Sequence, residues 1–312
     1  MNRVIGVLVM AHGTPGSPED LERFVMSIRH GRPLPPDQMA ELERRYRVIG
    51  GLSPLAEITS AQVASLAAEL DRRFPGRFRV ACGAKHLSPS IEEAVAALAS
   101  DGVDGILGLV MAPHYATLSV AEYARRAQSA APPGLPVDVI DSWHLEAGFI
   151  EAVTRRVEAA VAEVAHETGE ATPFVVFTAH SIPQRFVDDG DPYPEQVADS
   201  ASAVAALLGL ADDSYQVAWQ SAGMTGEPWL GPDLREVVSS LAGSRSKAVV
   251  VCPIGFVSDH LEVLYDIDVD AAEVASRAGV ALRRTASLNA DPDFIDVLGR
   301  LVARRAGFGE WR

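Results

Sequence analysis

A histidine at the end of a buried strand is the sharpest candidate for chemistry in this sequence. His180 follows the apolar run 174–179, which predicts a strand that delivers an imidazole to its exposed carboxyl end. Because its unperturbed pKa is near 6.5, an imidazole can bind a metal or accept a proton at cellular pH. The alternative is a packed, hydrogen-bonded histidine, which is the more common case for a lone histidine.

A row of carboxylates in the segment 258–270 is the second candidate. Glu262, Asp266 and Asp270 are spaced i, i+4 and i+8, which on a helix places three negative charges on one face. Like charges at this spacing repel, and a path for a divalent cation would account for them, since such ions accept oxygen ligands. The alternative is a solvated face whose first carboxylates gain about 0.3–1 kcal/mol each from the helix dipole.

The composition restricts the classes of protein to be considered. The chain has 312 residues, 48% of them hydrophobic, and a formal net charge of −15, which is typical of a globular protein and argues against a nucleic-acid-binding surface. Its two cysteines, Cys82 and Cys252, exclude a disulfide scaffold or a four-cysteine metal site and suit a reducing compartment. No apolar stretch approaches the roughly 20 residues of a membrane-spanning helix. We therefore expect a cytoplasmic protein without a membrane segment.

Strand and helix patterns alternate along the chain. The predicted strands are 4–10, 78–82, 105–111 and 137–140, followed by 174–178, 215–219, 248–252 and 280–282. Helical patterns separate these strands, a long helix over 145–166 joins the two series, and a helix over 292–306 closes the chain. The sequence therefore predicts an α/β protein with two four-stranded parallel sheets, each flanked by helices.

The two halves of the chain also repeat one another. In each, an apolar strand ends in the pattern Ala-His-x-x-Pro, at His12 and again at His180. This similarity predicts two related domains, 1–145 with an insertion at about 29–59, and 146–312. Because ligands bind at the carboxyl ends of parallel strands, both histidines are expected to line one cleft between the domains. Chance similarity between two generic strand–helix units is the alternative.

Seven motifs run collinearly through the chain. They are RY at 45–46 with IGGLSPL at 49–55, KH at 85–86, APH at 112–114, TAHSIP at 178–183, GDPY at 190–193, WQS at 219–221 with PWLGP at 228–232, and GFV at 255–257 with DHLE at 259–262. In these motifs the sequence resembles the ferrochelatases, most closely the coproporphyrin ferrochelatases of Gram-positive bacteria. The resemblance implies the chelatase fold, a pair of Rossmann-like domains with the porphyrin between them, in which the last helix packs back on the first domain.

The resemblance also implies a role for each candidate residue. His180 and Glu262 would bind the incoming ferrous ion and help to remove two pyrrole protons, while Asp266 and Asp270 would feed metal or carry protons away. The residues that would contact the tetrapyrrole and its propionates are His12, Arg29, Arg45, Tyr46, Ser53 and Tyr123. No prosthetic group is implied, since iron and porphyrin are both substrates. The expected activity is iron insertion into a porphyrin, with coproporphyrin III favoured, in haem biosynthesis.

Three features distinguish this chain from relatives. His12 stands where close relatives have a tyrosine that can face the metal from the opposite side of the ring, so it would be a stronger axial ligand. Cys82 and Cys252 cannot supply the four-cysteine iron–sulfur cluster of some relatives, and none is expected. The carboxyl-terminal extension of the mitochondrial enzymes is lacking, so we expect a monomer.

Two other functions remain open at this point. A chelatase that inserts cobalt or nickel into sirohydrochlorin shares the fold, but lacks the IGGLSPL insertion and the PWLGP loop. A non-catalytic haem-binding or carrier protein could use His12 to hold haem. Repeated turnover distinguishes an enzyme from a carrier.

Overall fold

Two four-stranded parallel sheets form the framework of the protein, which confirms the predicted fold class. The computed structural model describes residues 3–169, 172–223, 225–243, 246–308 and 311. The first sheet has the order β2-β1-β3-β4 and the second the equivalent order β6-β5-β7-β8, with every neighbouring pair parallel. The strands are β1 (Ile5–Ala11), β2 (Phe78–Ala84), β3 (Gly105–Val110), β4 (Val137–Ile140), β5 (Phe174–His180), β6 (Tyr215–Gln220), β7 (Ala248–Cys252) and β8 (Ala281–Arg284).

Helices follow nearly every strand. The first half contains α1 (Asp20–Ile28), α2 (Pro36–Val48), α3 (Leu55–Arg73), α4 (Ile91–Ser100) and α5 (Val120–Ala130), and α6 (Ala147–Thr168) joins the halves. The second half contains α7 (Gln184–Asp188), α8 (Tyr193–Leu208), α9 (Leu234–Ser240), a π-helix (Val263–Ala271) continued by α10 (Ala272–Ala278), and α11 (Pro292–Arg305). In the part of the chain that the structure describes, no helix is both long and apolar enough to cross a bilayer.

Two helical segments differ from the sequence-based expectation. The segment 29–59, predicted as an insertion, contains α2, which the apolar pattern does not predict because nearly half of its 13 residues are charged. The helix begins at Pro36, a position where proline is tolerated. The segment 262–278, predicted as one regular helix, instead starts as a π-helix. This winding closes i→i+5 hydrogen bonds and is usually found at functional sites. The local geometry of the carboxylate row is therefore not that of an α-helix.

Helix α6 connects the cores of the two halves. Its residues Phe149 and Val157 are completely buried and belong to one apolar cluster that also contains Val7 of β1 and Phe177 of β5. Continuous burial of β1 is typical of a strand covered on both faces. Helix α11 packs against α3 and α6. The division of the chain at residues 145 and 146 stays a prediction.

A polar seam joins the loop after β3 to α8 of the second half. The backbone N–H of Tyr115 donates to Gln196 Oε1 and that of Thr117 to Asp191 Oδ2, both at 2.7 Å. His114, only 2% exposed, places Nε2 2.9 Å from Ser200 Oγ. Because that hydroxyl donates to backbone carbonyls, it accepts from His114, whose Nδ1 is buried with no hydrogen-bond partner in the described part of the chain. His114 is therefore held as a neutral imidazole.

Acid should weaken this seam through His114. Burial, followed by the neighbouring His144, lowers the pKa of His114 to about 3. As the pH falls, His114 is protonated near pH 6.5 in the unfolded chain but only near pH 3 in the folded protein. The stability that the neutral His114 allows is therefore complete above about pH 6.5 and is lost as the pH falls towards 3. We expect the free energy of unfolding to fall about 2 kcal/mol more between pH 7 and pH 5 in the wild type than in His114→Gln. Urea denaturation at both pH values measures this difference.

The matched control for this experiment is His166→Gln, which replaces an exposed histidine of α6. It should keep the wild-type dependence of stability on pH. Equal pH dependence in His114→Gln and the wild type would contradict the assignment of a neutral His114.

Candidate active site

His180 is the last residue of β5, as the apolar run before it predicts, and it meets Glu262 at the start of the π-helix. The imidazole Nδ1 donates to the Ser181 carbonyl, which can only accept, so Nε2 is the nitrogen left to act. This Nε2 lies 3.6 Å from Glu262 Oε1. The two side chains are 37% and 38% exposed, so an incoming ion can reach both.

The electrostatics of this pair favour a charged imidazole in the free protein. Burial acts to lower the pKa of His180, but the adjacent carboxylate outweighs it and raises the pKa to about 9. Burial acts to raise the pKa of Glu262, while His180 and then His260 hold it well below its usual range. The resting state is therefore an imidazolium–carboxylate pair, from which a metal ion must displace a proton.

Neighbouring strand ends fix the backbone on both sides of the pair. Gln220, at the end of β6, donates from Nε2 to the Glu262 carbonyl at 3.3 Å and accepts at Oε1 from Thr178 Oγ1 at 2.9 Å. Gly255 lies so close to β5 that a Cβ there would stand 2.5 Å from the Ala179 Cβ. The loop after β7 can pack onto the strand that ends in His180 only because residue 255 has no side chain.

His260 is a site residue for which the sequence motifs indicate no role. Its Nδ1 donates to the Ser258 carbonyl at 3.0 Å, and its Nε2 lies 3.5 Å from Glu262 Oε2. Each oxygen of Glu262 therefore faces a different imidazole. The spacing of His260 two residues before Glu262 is the signal that could have found it. Among the described residues, no three His, Cys, Asp or Glu side chains form a ready metal cage.

The predicted carboxylate row lies along the π-helix. Burial and then the charge of Glu262 raise the pKa of Asp266 to about 6, and the charge of Asp270 adds to this effect. Asp266 accepts a hydrogen bond from Ser221 Oγ and lies 3.6 Å from Arg45 Nη1. The structure thus brings these carboxylates into mutual electrostatic range. Ser221 is a second contact to which the sequence assigned no role.

His12 follows the last residue of β1, Ala11. Its Nδ1 donates to the Gly13 carbonyl at 3.1 Å, and its Nε2 has no hydrogen-bond partner among the residues that the structure describes. Its ring contacts His86 and Phe24 edge-on, with centroids 4.8 and 5.7 Å away. Burial lowers the pKa of His12, while the negative charge of Glu262 acts to raise it. His12 therefore presents a neutral imidazole within electrostatic range of Glu262.

The other predicted porphyrin contacts divide into two groups. Arg45 and Tyr46, both on α2, reach the site: Arg45 pairs with Asp266, and the pKa of Tyr46, raised chiefly by burial, also responds to Glu262. For Arg29, Ser53 and Tyr123, no hydrogen bond or ion pair in the described parts of the chain leads to the His180–Glu262 pair. Arg29 follows α1 on the surface, Ser53 is buried before α3, and Tyr123 packs in the core of the first half. Their porphyrin contacts stay predictions.

Aromatic residues border the site on the side of the second half. The Trp229 ring of the PWLGP motif lies with its centroid 6.4 Å from that of His180. Tyr193 is tilted against Trp219, with ring centroids 5.6 Å apart. Packing and binding of a flat apolar ligand are both compatible with this arrangement.

Comparison with known proteins decides the family. The ferrochelatase family model matches residues 4–306, nearly the whole chain. The chain belongs to the ferrochelatase family. It is 41% identical over 309 residues to the coproporphyrin III ferrochelatase of Geobacillus kaustophilus, with 98% of this chain and 97% of the relative covered. It is 40% identical to the coproporphyrin III ferrochelatase of Listeria innocua, covering 97% and 98%. The resemblance stated from the motifs is therefore confirmed.

Solved structures of more distant proteins share the fold of this ferrochelatase-family chain. SirB from Bacillus subtilis with Fe³⁺ matches with a TM-score of 0.57 at 14% identity, covering 97% of this chain and 98% of that one. CbiX, a siroheme-biosynthesis enzyme of denitrifying bacteria, matches with a TM-score of 0.53 at 15% identity, covering 97% and 100%. At these identities the likeness establishes the chelatase fold alone.

Proposed function

We propose that this protein inserts ferrous iron into a porphyrin, with coproporphyrin III as the substrate, in haem biosynthesis. The observation that carries the proposal is the 3.6 Å approach of His180 Nε2 to Glu262 Oε1, accessible to an ion, in a chain of the ferrochelatase family. Imidazole and carboxylate together suit a divalent ion of intermediate softness. The coproporphyrin III ferrochelatases to which the chain is about 40% identical support this choice of substrate.

The chemistry requires one ion to be bound and two protons to be removed. Ferrous iron replaces the two pyrrole N–H protons of the porphyrin, so the iron porphyrin forms with release of two protons. On binding, the ion would displace the proton from His180 Nε2, and the carboxylate of Glu262 would accept the two porphyrin protons in turn, passing on the first before it takes up the second. Asp266, with its pKa of about 6, can accept and release each of these protons near neutral pH. Asp270 continues the path outwards.

Recognition of the substrate carboxylates falls to cations on the first half. The protein carries a net charge of −15, so a porphyrin with ionised propionates needs local donors. Arg29 and Arg45 provide guanidinium groups, which pair well with carboxylates. Arg45 would exchange the carboxylate of Asp266 for a propionate, while Tyr46, Ser53 and Tyr123 supply hydroxyl groups.

Anaerobic turnover with three tetrapyrroles tests the proposal. Coproporphyrin III, protoporphyrin IX and sirohydrochlorin are each supplied with ferrous iron, and loss of porphyrin absorbance and fluorescence is followed over many equivalents per protein. We expect the highest kcat/KM with coproporphyrin III. Preference for sirohydrochlorin would support a chelatase of that substrate, and conversion of a single equivalent would support a carrier.

The same proposal includes the molecular setting of the enzyme. We propose that it works as a monomer in the cytoplasm, with no iron–sulfur cluster and no other prosthetic group. Two cysteines in the whole sequence support the absence of a four-cysteine cluster. Sedimentation in solution tests the monomeric state, and metal analysis of the purified protein tests the absence of an iron–sulfur cluster.

The absorption spectrum of the bound iron porphyrin should depend on His12. Because His12 Nε2 is neutral and has no hydrogen-bond partner in the described parts of the chain, we propose that it coordinates the product iron from the face opposite His180. We expect His12→Ala to shift the main absorption band of the bound iron porphyrin. His12→Tyr should give a third spectrum, since a phenolate oxygen replaces the imidazole nitrogen. An unchanged spectrum in His12→Ala would contradict axial coordination.

A further inference from the structure

A network of hydrogen bonds holds the loop that carries His260 and Glu262. Asp259 exchanges two bonds with Asn289: its N–H donates to Asn289 Oδ1 at 2.9 Å, and Asn289 Nδ2 donates to Asp259 Oδ2 at 3.0 Å. Ser287 Oγ donates to Asp259 Oδ1 at 2.7 Å. Asn289 has a left-handed backbone, with φ of 47°, which turns its side chain into this exchange. The loop before the π-helix is therefore fastened to the segment that follows β8.

Arg284 extends the network to the far side of Glu262. Its Nη1 donates to Asp259 Oδ1 at 3.0 Å, while Nε and Nη2 donate to the two oxygens of Asp268 at 2.8 and 3.0 Å. The Arg284 side chain is only 15% exposed. Two-pronged pairing of a guanidinium with a carboxylate is strong and geometrically specific. Arg284 thus connects the residues before Glu262 to the helix after it.

Gln62 of α3 brings the first half into the same network. It is 2% exposed, and its Nε2 donates to Ser258 Oγ at 2.9 Å and to the Asn289 carbonyl at 2.7 Å. The Ser258 carbonyl in turn accepts from His260 Nδ1, and His260 Nε2 faces Glu262. A continuous series of contacts therefore runs from α3 to the carboxylate that lies beside His180.

We propose that Gln62 and Asp259 are positioning residues that hold His260 and Glu262 in the arrangement that binds the metal ion. Through the two hydrogen bonds of Gln62, a residue of the first half contributes to the metal-binding geometry of the second. Buried polar contacts of this kind orient metal-facing side chains, and their loss typically costs about 10–100-fold in metal affinity. The inference rests on the proposed function for the identity of the ion as ferrous iron.

The test measures binding of Co²⁺ to the porphyrin-free protein, followed by the visible absorption of the bound metal. Gln62→Met keeps a side chain of similar length and removes both hydrogen bonds. We expect it to weaken Co²⁺ binding about tenfold or more. In turnover we expect a higher KM for ferrous iron with an unchanged KM for coproporphyrin III. Asp259→Asn, which keeps the shape but weakens the pairing with Arg284, should also weaken Co²⁺ binding.

A double-variant comparison shows whether Gln62 acts through the loop. Ser258→Ala removes the hydroxyl that Gln62 contacts and leaves the carbonyl that orients His260. The combined Gln62→Met/Ser258→Ala variant should bind Co²⁺ little worse than Gln62→Met alone, because both changes remove the same hydrogen bond between Gln62 and Ser258. Fully additive losses would overturn the proposed route through Ser258.

The matched control is Arg73→Met on the same helix. Arg73 Nη2 reaches Asp296 of α11 at 3.2 Å, so this change weakens helix docking away from the loop. It should leave Co²⁺ affinity unchanged. The proposal is overturned if Arg73→Met and Gln62→Met weaken Co²⁺ binding equally, or if Gln62→Met does not weaken it. A wild type that binds Co²⁺ but never converts porphyrin would refute the proposed function alone, since these affinities need no turnover.

Discussion

Replacement of Glu262 by Gln is expected to lower kcat for iron insertion by about 10²–10⁴-fold. The amide keeps the size of the side chain, but it has no negative charge to pair with His180 or to attract the ion. It also cannot accept a pyrrole proton. Anaerobic turnover with ferrous iron and coproporphyrin III measures the effect, with the thermal midpoint of unfolding recorded alongside to show that the fold is intact.

The chain offers a matched control for this change. Glu273→Gln makes the same substitution further along the same helical segment, at an exposed residue 64% accessible that pairs only weakly with Arg277 at 3.6 Å. It should turn over at the wild-type rate. A Glu262→Gln variant that inserts iron as fast as Glu273→Gln would refute the assignment of Glu262.

Removal of the imidazole in His180→Ala should have an effect of comparable size, at least about 100-fold in kcat. Because His180 and Glu262 act on the same ion, the variant that lacks both should be little worse than either alone. The control is His166→Ala, on the surface of α6, which should keep full activity. Additive losses would show that the two groups work independently.

The pH dependence of metal binding separates His180 from a merely structural histidine. The raised pKa of about 9 means that the ion must displace a proton throughout the neutral range. The affinity of the wild type for Co²⁺ should therefore rise about tenfold per pH unit from pH 6.5 to 8, and level off above the pKa. In His180→Ala the residual affinity should lose most of this slope. A wild-type affinity independent of pH would contradict the protonated resting state.

The sequence was sufficient for those features that depend on local pattern. Apolar runs predict β1 and β5 because parallel strands covered on both faces are continuously apolar, and His12 and His180 follow from where those runs end. The π-helix could not be predicted in this way, since its wider winding has no distinctive apolar period. Helix α2 was missed because its charged surface hides any apolar stripe.

Other site features depend on contacts between distant parts of the chain. Gln62 bridges the two halves through its hydrogen bond to Ser258, and this contact leaves no mark in local spacing. The burial of Tyr123 in the core is likewise set by how α5 packs on its sheet. Tertiary packing, which a single sequence does not display, decides both the contact of Gln62 and the burial of Tyr123.

The segment around α2 lies in the first half of the sequence, but its side chains contact the second half. Arg44 donates to the Tyr265 hydroxyl, Arg45 lies over the same ring at 4.7 Å, and Leu261 packs against the apolar cluster around Tyr46. These contacts link the segment to both halves of the molecule, so it cannot hinge independently of the second half. Any movement of α2 must consequently be coupled to movement of the π-helix, because the same side chains hold both.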